Sequence, residues 1–231
     1  MRPGIIAIDG PAASGKSSTA RAAAEAIGFS HLDSGSLYRA VTRVALTEAR
    51  ALGLSDALLV PPEVMLRAAE DRGLMLQPDG AGFSSYLDGE PADQIIRSPE
   101  VTANVSAISA IPVVREWVNS RLRELARAGI GVVVDGRDIG TVVFPEADVK
   151  VFLTASPAAR AERRLLQRGN ATSREELEQE TARLAARDLA DSTRDVAPLR
   201  RADDAHEVDT TALNFDEQVA YIVQLARNAL G

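Results

Sequence analysis

The sequence predicts an α/β protein built on a mostly parallel sheet of five strands, and three observations carry that prediction. Apolar runs at 5–8 and 130–134 are short and end in Asp9-Gly10 and Asp135-Gly136, the pattern of strands buried on both faces. Between such runs lie stretches of helical spacing that close at Gly28, Gly53 and Gly129. Strands alternating with helices imply three layers, a sheet with helices on either face.

Taken in order, residues 5–8 form a strand and 17–27, rich in alanine, a helix. A second strand at 29–32 ends at Asp33, and 36–52 is helical. Segment 54–112 breaks the alternation. Strand-like pieces at 73–77 and 83–88 flank Pro78-Asp79-Gly80-Ala81-Gly82, which reads as a hairpin loop. The expectation is a small insertion with its own β structure at 54–112, in a core made of 1–53 and 113–231. A helix follows from Pro112 to about 128, then the strands 130–134 and 149–153. Ser156-Pro157 starts a helix to about 168. Ser173 and Glu176 have capping-box spacing and open another, to about 189. A strand at 205–208 and an amphipathic helix at 215–229 complete the chain.

Composition narrows the function. The 231 residues are 45% apolar and 26% charged, the proportions of an ordinary globule. A net charge of −7 argues against nucleic acid as a partner. Without cysteine there are no disulfides, no thiol catalysis and no cysteine-bound zinc. No apolar run reaches the ~18 residues of a membrane span, and no leader pattern precedes the first strand, so the expected location is cytoplasmic, with no membrane partner. The absence of long heptads predicts a monomer. Arginine outnumbers lysine 24 to 2, and one of the two lysines sits in a glycine-rich loop.

That loop is Gly10-Pro11-Ala12-Ala13-Ser14-Gly15-Lys16-Ser17, a full match to G-x-x-x-x-G-K-[ST] with a strand before it and a helix after it. The two glycines let successive N–H groups curl toward phosphate oxygens, and the helix turns its positive end to the same anion. Lys16 supplies a point charge for the β- and γ-phosphates and Ser17 a hydroxyl for Mg²⁺. The motif thus predicts a P-loop fold binding ATP with magnesium.

The arginines suggest a second substrate. Tyr38-Arg39 follows Asp33-Ser34-Gly35, and Arg137-Asp138 follows Asp135-Gly136, so both guanidinium groups come from strand ends. Loops at the carboxyl ends of parallel strands converge on one crevice. Arg183, Arg187 and Asp191 share a helix face by spacing, either as an intrahelical ion-pair ladder or as part of a site. Arg160, Arg163, Arg164 and Arg168 lie on one face before Gly169-Asn170-Ala171-Thr172, either as a solvated basic face or leading into a short lid at about 165–178. Asp33 and Asp135 both end strands and are both candidates to orient the metal. His31 and His206 read as packing residues, and Trp117 as core.

Taken together, these stretches resemble the bacterial-type cytidylate (CMP/dCMP) kinases. The likeness runs through Asp9-Gly10-Pro11, Asp33-Ser34-Gly35-Ser36-Leu37-Tyr38-Arg39, 135–145 and Arg187-Asp188 through Arg194 to Leu199. It implies that 54–112 binds the nucleoside monophosphate. It further implies that Ser34, Arg39, Arg137 and Arg194 hold the acceptor phosphate, Arg187 and Asp191 the sugar, and Ser106, Arg115 and Asp138 the base. On the donor side, residues 10–18, including Pro11, Ala12, Ala13, Ser14 and Ser18, with Arg160 and Arg164 would bind ATP. Lys16, Arg137 and Arg194 would be catalytic, and Ser17 with Asp33 or Asp135 would face Mg²⁺. Ser17-Ser18 stands where other members often have Gly-Thr, which keeps a hydroxyl for the metal. Rival readings are a kinase of a hydroxyl-bearing metabolite and a nucleotide-binding module with no acceptor site.

Overall fold

The computed structural model describes residues 1–231 except 81, 128 and 170–172. The chain begins with β1 (Ile5–Asp9), α1 (Lys16–Ile27), β2 (Ser30–Asp33) and α2 (Ser34–Ala51). Next come α3 (Pro62–Asp71), the strands β3 (Met75–Asp79), β4 (Gly82–Leu87) and β5 (Glu90–Pro91), the single turn α4 (Asp93–Ile96), α5 (Pro99–Ser109) and α6 (Pro112–Ala126). The remainder is β6 (Val132–Asp135), β7 (Val149–Thr154), α7 (Pro157–Gln167), α8 (Arg174–Thr193), β8 (His206–Asp209) and α9 (Phe215–Leu230). Proline at the first helical position, where no N–H is missed, opens α3, α5, α6 and α7. Ser173 and Glu176 form the expected capping box on α8.

The contacts divide the chain into two units, Met1–His31 with Gly129–Gly231, and Leu32–Ala128, the boundary falling within β2. In the larger unit the strand order is β2-β6-β1-β7-β8. β1 runs parallel to both neighbours, Ile6 opposite Val133 on one side and Val149 on the other, and β8 is parallel to β7. Side chains alternate between faces, so Ile6, Ile8, Val133, Val151 and Leu153 all point one way. They meet Ala20, Ala23 and Ala24 of α1 and Ile222, Val223 and Ala226 of α9 in one cluster. Small residues on α1 let that helix lie close to the sheet, which brings its first turn up to the end of β1. Ala7, Val132 and Val134, on the opposite face, are also buried.

In the smaller unit β4 pairs antiparallel with β3 and β5. Among the described residues the chain therefore has eight strands: the five expected of the mostly parallel sheet, and three in the antiparallel ladder, where two strand-like pieces were expected. Residues 54–112 also contain the helices α3 and α5. Met65, Leu66 and Ala69 of α3 and Val101, Val105 and Ile108 of α5 are buried, a helical spacing in a stretch otherwise marked by proline and glycine. Trp117 is half-buried rather than core: its Nε1 donates to Glu70 at 2.8 Å and Arg121 lies over its ring. Ala81 of the expected hairpin loop, residue 128 at the expected end of α6 and 170–172 of the expected lid fall outside the described residues.

Candidate active site

The glycine-rich loop leaves β1 at Asp9 and enters α1 at Lys16. Gly10 has a φ of 148°, and a Cβ on it would lie 2.1 Å from the carbonyl oxygen of Leu153, so β7 passes too close for any side chain. Gly15 caps α1 at a φ of 94° with no side-chain bond, leaving first-turn N–H groups directed at the loop. Lys16 folds back and its Nζ donates to the Pro11 carbonyl at 2.7 Å and to Ser14 Oγ at 3.5 Å. Burial, then repulsion from Arg137, drives its ammonium well below the ordinary lysine range, although Asp135 and Asp9 oppose this and Arg187 adds to it. Lys16 thus lies within reach of the charges of Arg137 and Arg187, beside a loop shaped for an anion.

Ser17, one residue on, donates from Oγ to Oδ2 of Asp135 at 2.6 Å. The other carboxylate oxygen, Oδ1, lies 2.7 Å from Nε2 of His31. Burial works against the Asp135 carboxylate, but the bonds from His31 and Ser17 and the charge of Lys16 hold its pKa below the usual value. His31 is buried, as expected, but it bonds a site carboxylate rather than simply filling space. His206 is exposed, contrary to the packing role expected of it.

The crest of the loop is gripped from α7 and α8. Asp188 accepts the Ala12 N–H at 2.9 Å, Arg160 Nη1 donates to the Ala12 carbonyl at 3.0 Å, and Arg160 and Asp188 bond each other. The Ala12 peptide is therefore held at both polar atoms by an ion pair, and Ala12 packs with Ala161 and Leu184. Ser18 is exposed. Arg164 is half-buried and reaches Gln167 at 3.5 Å, while Arg163 bonds Thr210 and Arg168 bonds Glu180. These arginines are engaged in separate contacts rather than forming one solvated face.

A second cluster lies along α8 and the turn after β6. Asp191 accepts from Arg137 Nε at 2.9 Å, a partner on another element. Arg183, 70% exposed, pairs with Glu180 on its own helix, 3.6 Å away. Arg194 reaches Asp138 at 3.5 Å and donates from Nε to the Ala197 carbonyl at 2.7 Å. Asp138 opens a π-helical turn, Ile139–Val143, an irregularity that recurs at functional sites. Asp9 anchors that turn by accepting the N–H groups of Ile139 and Gly140, both at 2.8 Å. Burial raises the Asp9 pKa to about 6 in spite of those two bonds.

A family model described as "Cytidylate kinase" matches residues 6–228, nearly the whole chain. The chain belongs to the cytidylate kinase family. A cytidylate kinase of Streptomyces griseus subsp. griseus is 44% identical over 222 residues, covering 96% of this chain and 91% of that protein. One from a Geobacillus species is 43% identical over 235 residues and covers all of both chains. One from an Exiguobacterium species is 44% identical over 220 residues, covering 95% of each. The fold and family expected from the motifs therefore hold, and the chain is a nucleoside monophosphate kinase.

Within the smaller unit, Arg39 donates to Thr102 Oγ1 at 3.0 Å and to the Ile96 carbonyl at 3.5 Å. Arg115 is buried, donates to the Ser109 carbonyl at 2.9 Å and lies over the Tyr38 ring, 5.3 Å from its centroid. Ser34 is buried at the start of α2, and Ser106 is half-buried on α5. Asp33 pairs with Arg97 at 3.0 Å. Motif reading assigned no role to Asp9, His31 or Asp188. Asp9 and Asp188 lie inside the stretches that carry the family likeness, which is a signal of position but not of role. His31 has no local signal, since its partner is distant in sequence.

Proposed function

We propose that the chain transfers the γ-phosphoryl group of ATP to CMP or dCMP, producing ADP and CDP or dCDP. The observation that carries this reading is the glycine-rich loop itself, with Lys16 folded back onto the Pro11 carbonyl and the start of α1 left without a side-chain cap, an arrangement suited to a bound polyphosphate. The acceptor is itself a phosphate with a second pKa of about 6. It is already largely ionised near neutral pH, so the reaction needs no general base. It needs two polyanions held together and the charge on the transferred group offset. Lys16 faces the donor phosphates along with the backbone N–H groups of 10–18. Arg137 and Arg194, with Ser34 and Arg39, hold the acceptor phosphate, because a guanidinium fork grips phosphate at two points and keeps its charge.

Arg187 and Asp191 bond the sugar in this reading. Asp138 accepts from the cytosine amino group, with Arg115 and Ser106 completing the base site. Uracil would set a carbonyl oxygen against the Asp138 carboxylate, so it is disfavoured. Arg160 acts on ATP through the Ala12 peptide it holds, and Arg164 lies beyond it on the same helix. The insertion at 54–112 serves the acceptor and the lid at about 165–178 the donor.

The chemistry of the donor set fits magnesium: Ser17 Oγ and the Asp135 carboxylate are hard oxygen donors set 2.6 Å apart. Asp135 is favoured over Asp33, whose carboxylate is bonded to Arg97. Bound magnesium would supply positive charge to offset that of the phosphates. Ser17 and Asp135 would hold the ion, and the chain's own cations orient the phosphates. A cytoplasmic monomer completes the reading; among the described residues no helix is long and apolar enough to cross a membrane.

Release of ADP, followed in a coupled assay with CMP, dCMP, UMP and AMP in turn, tests the reading. Turnover with CMP and dCMP far above UMP and AMP is expected. Equal turnover with every acceptor, or none with any, would overturn it.

A further inference from the structure

We propose that His31 is a positioning residue for the metal-side carboxylate. Resting on the reading of Ser17 and Asp135 given above, the proposal is that its bond to Oδ1 locks the Asp135 carboxylate so that Oδ2 stays with the Ser17 hydroxyl. The three groups form one chain, His31 Nε2 to Asp135 Oδ1 at 2.7 Å and Ser17 Oγ to Asp135 Oδ2 at 2.6 Å. His31 is 2% exposed and Asp135 3%. A carboxylate oxygen accepts, so the imidazole proton is on Nε2. Among the described residues Nδ1 has no hydrogen-bond partner, so the ring's one bond is that to Asp135. That donor fixes the orientation of the carboxylate and leaves Oδ2 turned to Ser17, where a cation would be held. An apolar residue at 31 would take the donor from Oδ1 and free the carboxylate to turn. Such outer partners typically account for about 10–100-fold in metal affinity.

The test is calorimetric titration of the full chain with ADP, in magnesium and in EDTA, for the wild type, His31→Met, His31→Gln and Asp135→Asn. The readout is the ratio of ADP dissociation constants without and with magnesium, which needs no turnover. His31→Met is expected to lower that ratio about tenfold while leaving ADP affinity in EDTA unchanged. His31→Gln, whose amide N–H reaches the same oxygen, is expected to keep the ratio near the wild-type value. An unchanged ratio in His31→Met, with a lowered one in Asp135→Asn, would overturn the role of His31 alone. An unchanged ratio in Asp135→Asn would overturn the metal-site reading beneath it. Loss in His31→Gln equal to that in His31→Met would show that the hydrogen bond is not the cause. Should His31→Met fail to fold, His31→Asn, with an amide too short to reach Oδ1, is measured against the same outcomes.

Discussion

Asp188 on α8 accepts the backbone N–H of Ala12, 176 positions earlier in the chain, at 2.9 Å. With Arg160 on the Ala12 carbonyl, it fixes the crest of the phosphate loop from the two helices that flank 170–172. A loop that must present several N–H groups to one anion gains from being held before the anion arrives, since its ordering entropy is then already spent.

Asp188→Ala removes a largely buried ion-pair partner and leaves the Arg160 guanidinium and the Ala12 N–H with less to bond. The expected outcome is a KM for ATP raised about tenfold with the KM for CMP little changed, along with a stability loss of about 2–4 kcal/mol. Steady-state kinetics in each substrate and urea denaturation measure the two effects. A rise in the KM for CMP alone would count against the loop-holding role.

Lys16→Met keeps the aliphatic stem and deletes the charge. Turnover is expected to fall by at least about 10²–10³-fold, the scale on which one donor aimed at developing charge matters. Stability is expected to hold or rise, because burial and the neighbouring arginines already disfavour the ammonium in the folded state. A thermal melt alongside the assay separates the two. Retained turnover would remove the loop lysine from the mechanism.

Asp9 gives a pH dependence with a definite sign. Its pKa rises from 3.8 unfolded to about 6 folded, so between those values the folded chain binds more protons. Its contribution is fully present below about pH 4 and is lost as pH rises through 6. The shift corresponds to about 3 kcal/mol across that window. Asp9→Asn cannot titrate, so between pH 4 and 6 the wild type is expected to lose stability relative to the variant. Urea midpoints at intervals through the window measure the difference, and parallel curves would show that Asp9 titrates normally.

Asp138→Ala is expected to relax the choice of base. The CMP-to-UMP ratio of kcat/KM should fall by about 10²-fold or more, because the carboxylate proposed to accept from the cytosine amine and to reject the uracil carbonyl is gone. Arg194, 3.5 Å from Asp138, loses that contact too, so some loss in kcat is also expected. An unchanged ratio would assign base reading to another side chain.

Legibility followed the range of the interactions. The strands at 5–8 and 149–153 and the helices opened by Pro112 and Ser173 were readable because side-chain period and capping are local. The loop from Gly10 to Ser17 was readable for the same reason, since its geometry is set by residues a few positions apart. Helices α3 and α5 were obscured by the prolines and glycines around them, since their apolar faces are completed by partners elsewhere in the unit. Asp191 was placed correctly on α8 but not its partner, because Arg137 is 54 positions away.

What the sequence determined alone was the order of strands and helices outside 54–112, the phosphate-gripping loop and the supply of arginines, all consequences of neighbours along the chain. Which acid holds which base was decided only when β1 came to lie between β6 and β7, setting Asp9 under the 139–140 backbone and Asp135 beside Ser17. A buried charge is tolerated only with a partner at bonding distance, and for His31, Asp135 and Asp188 that partner is supplied by folding rather than by spacing.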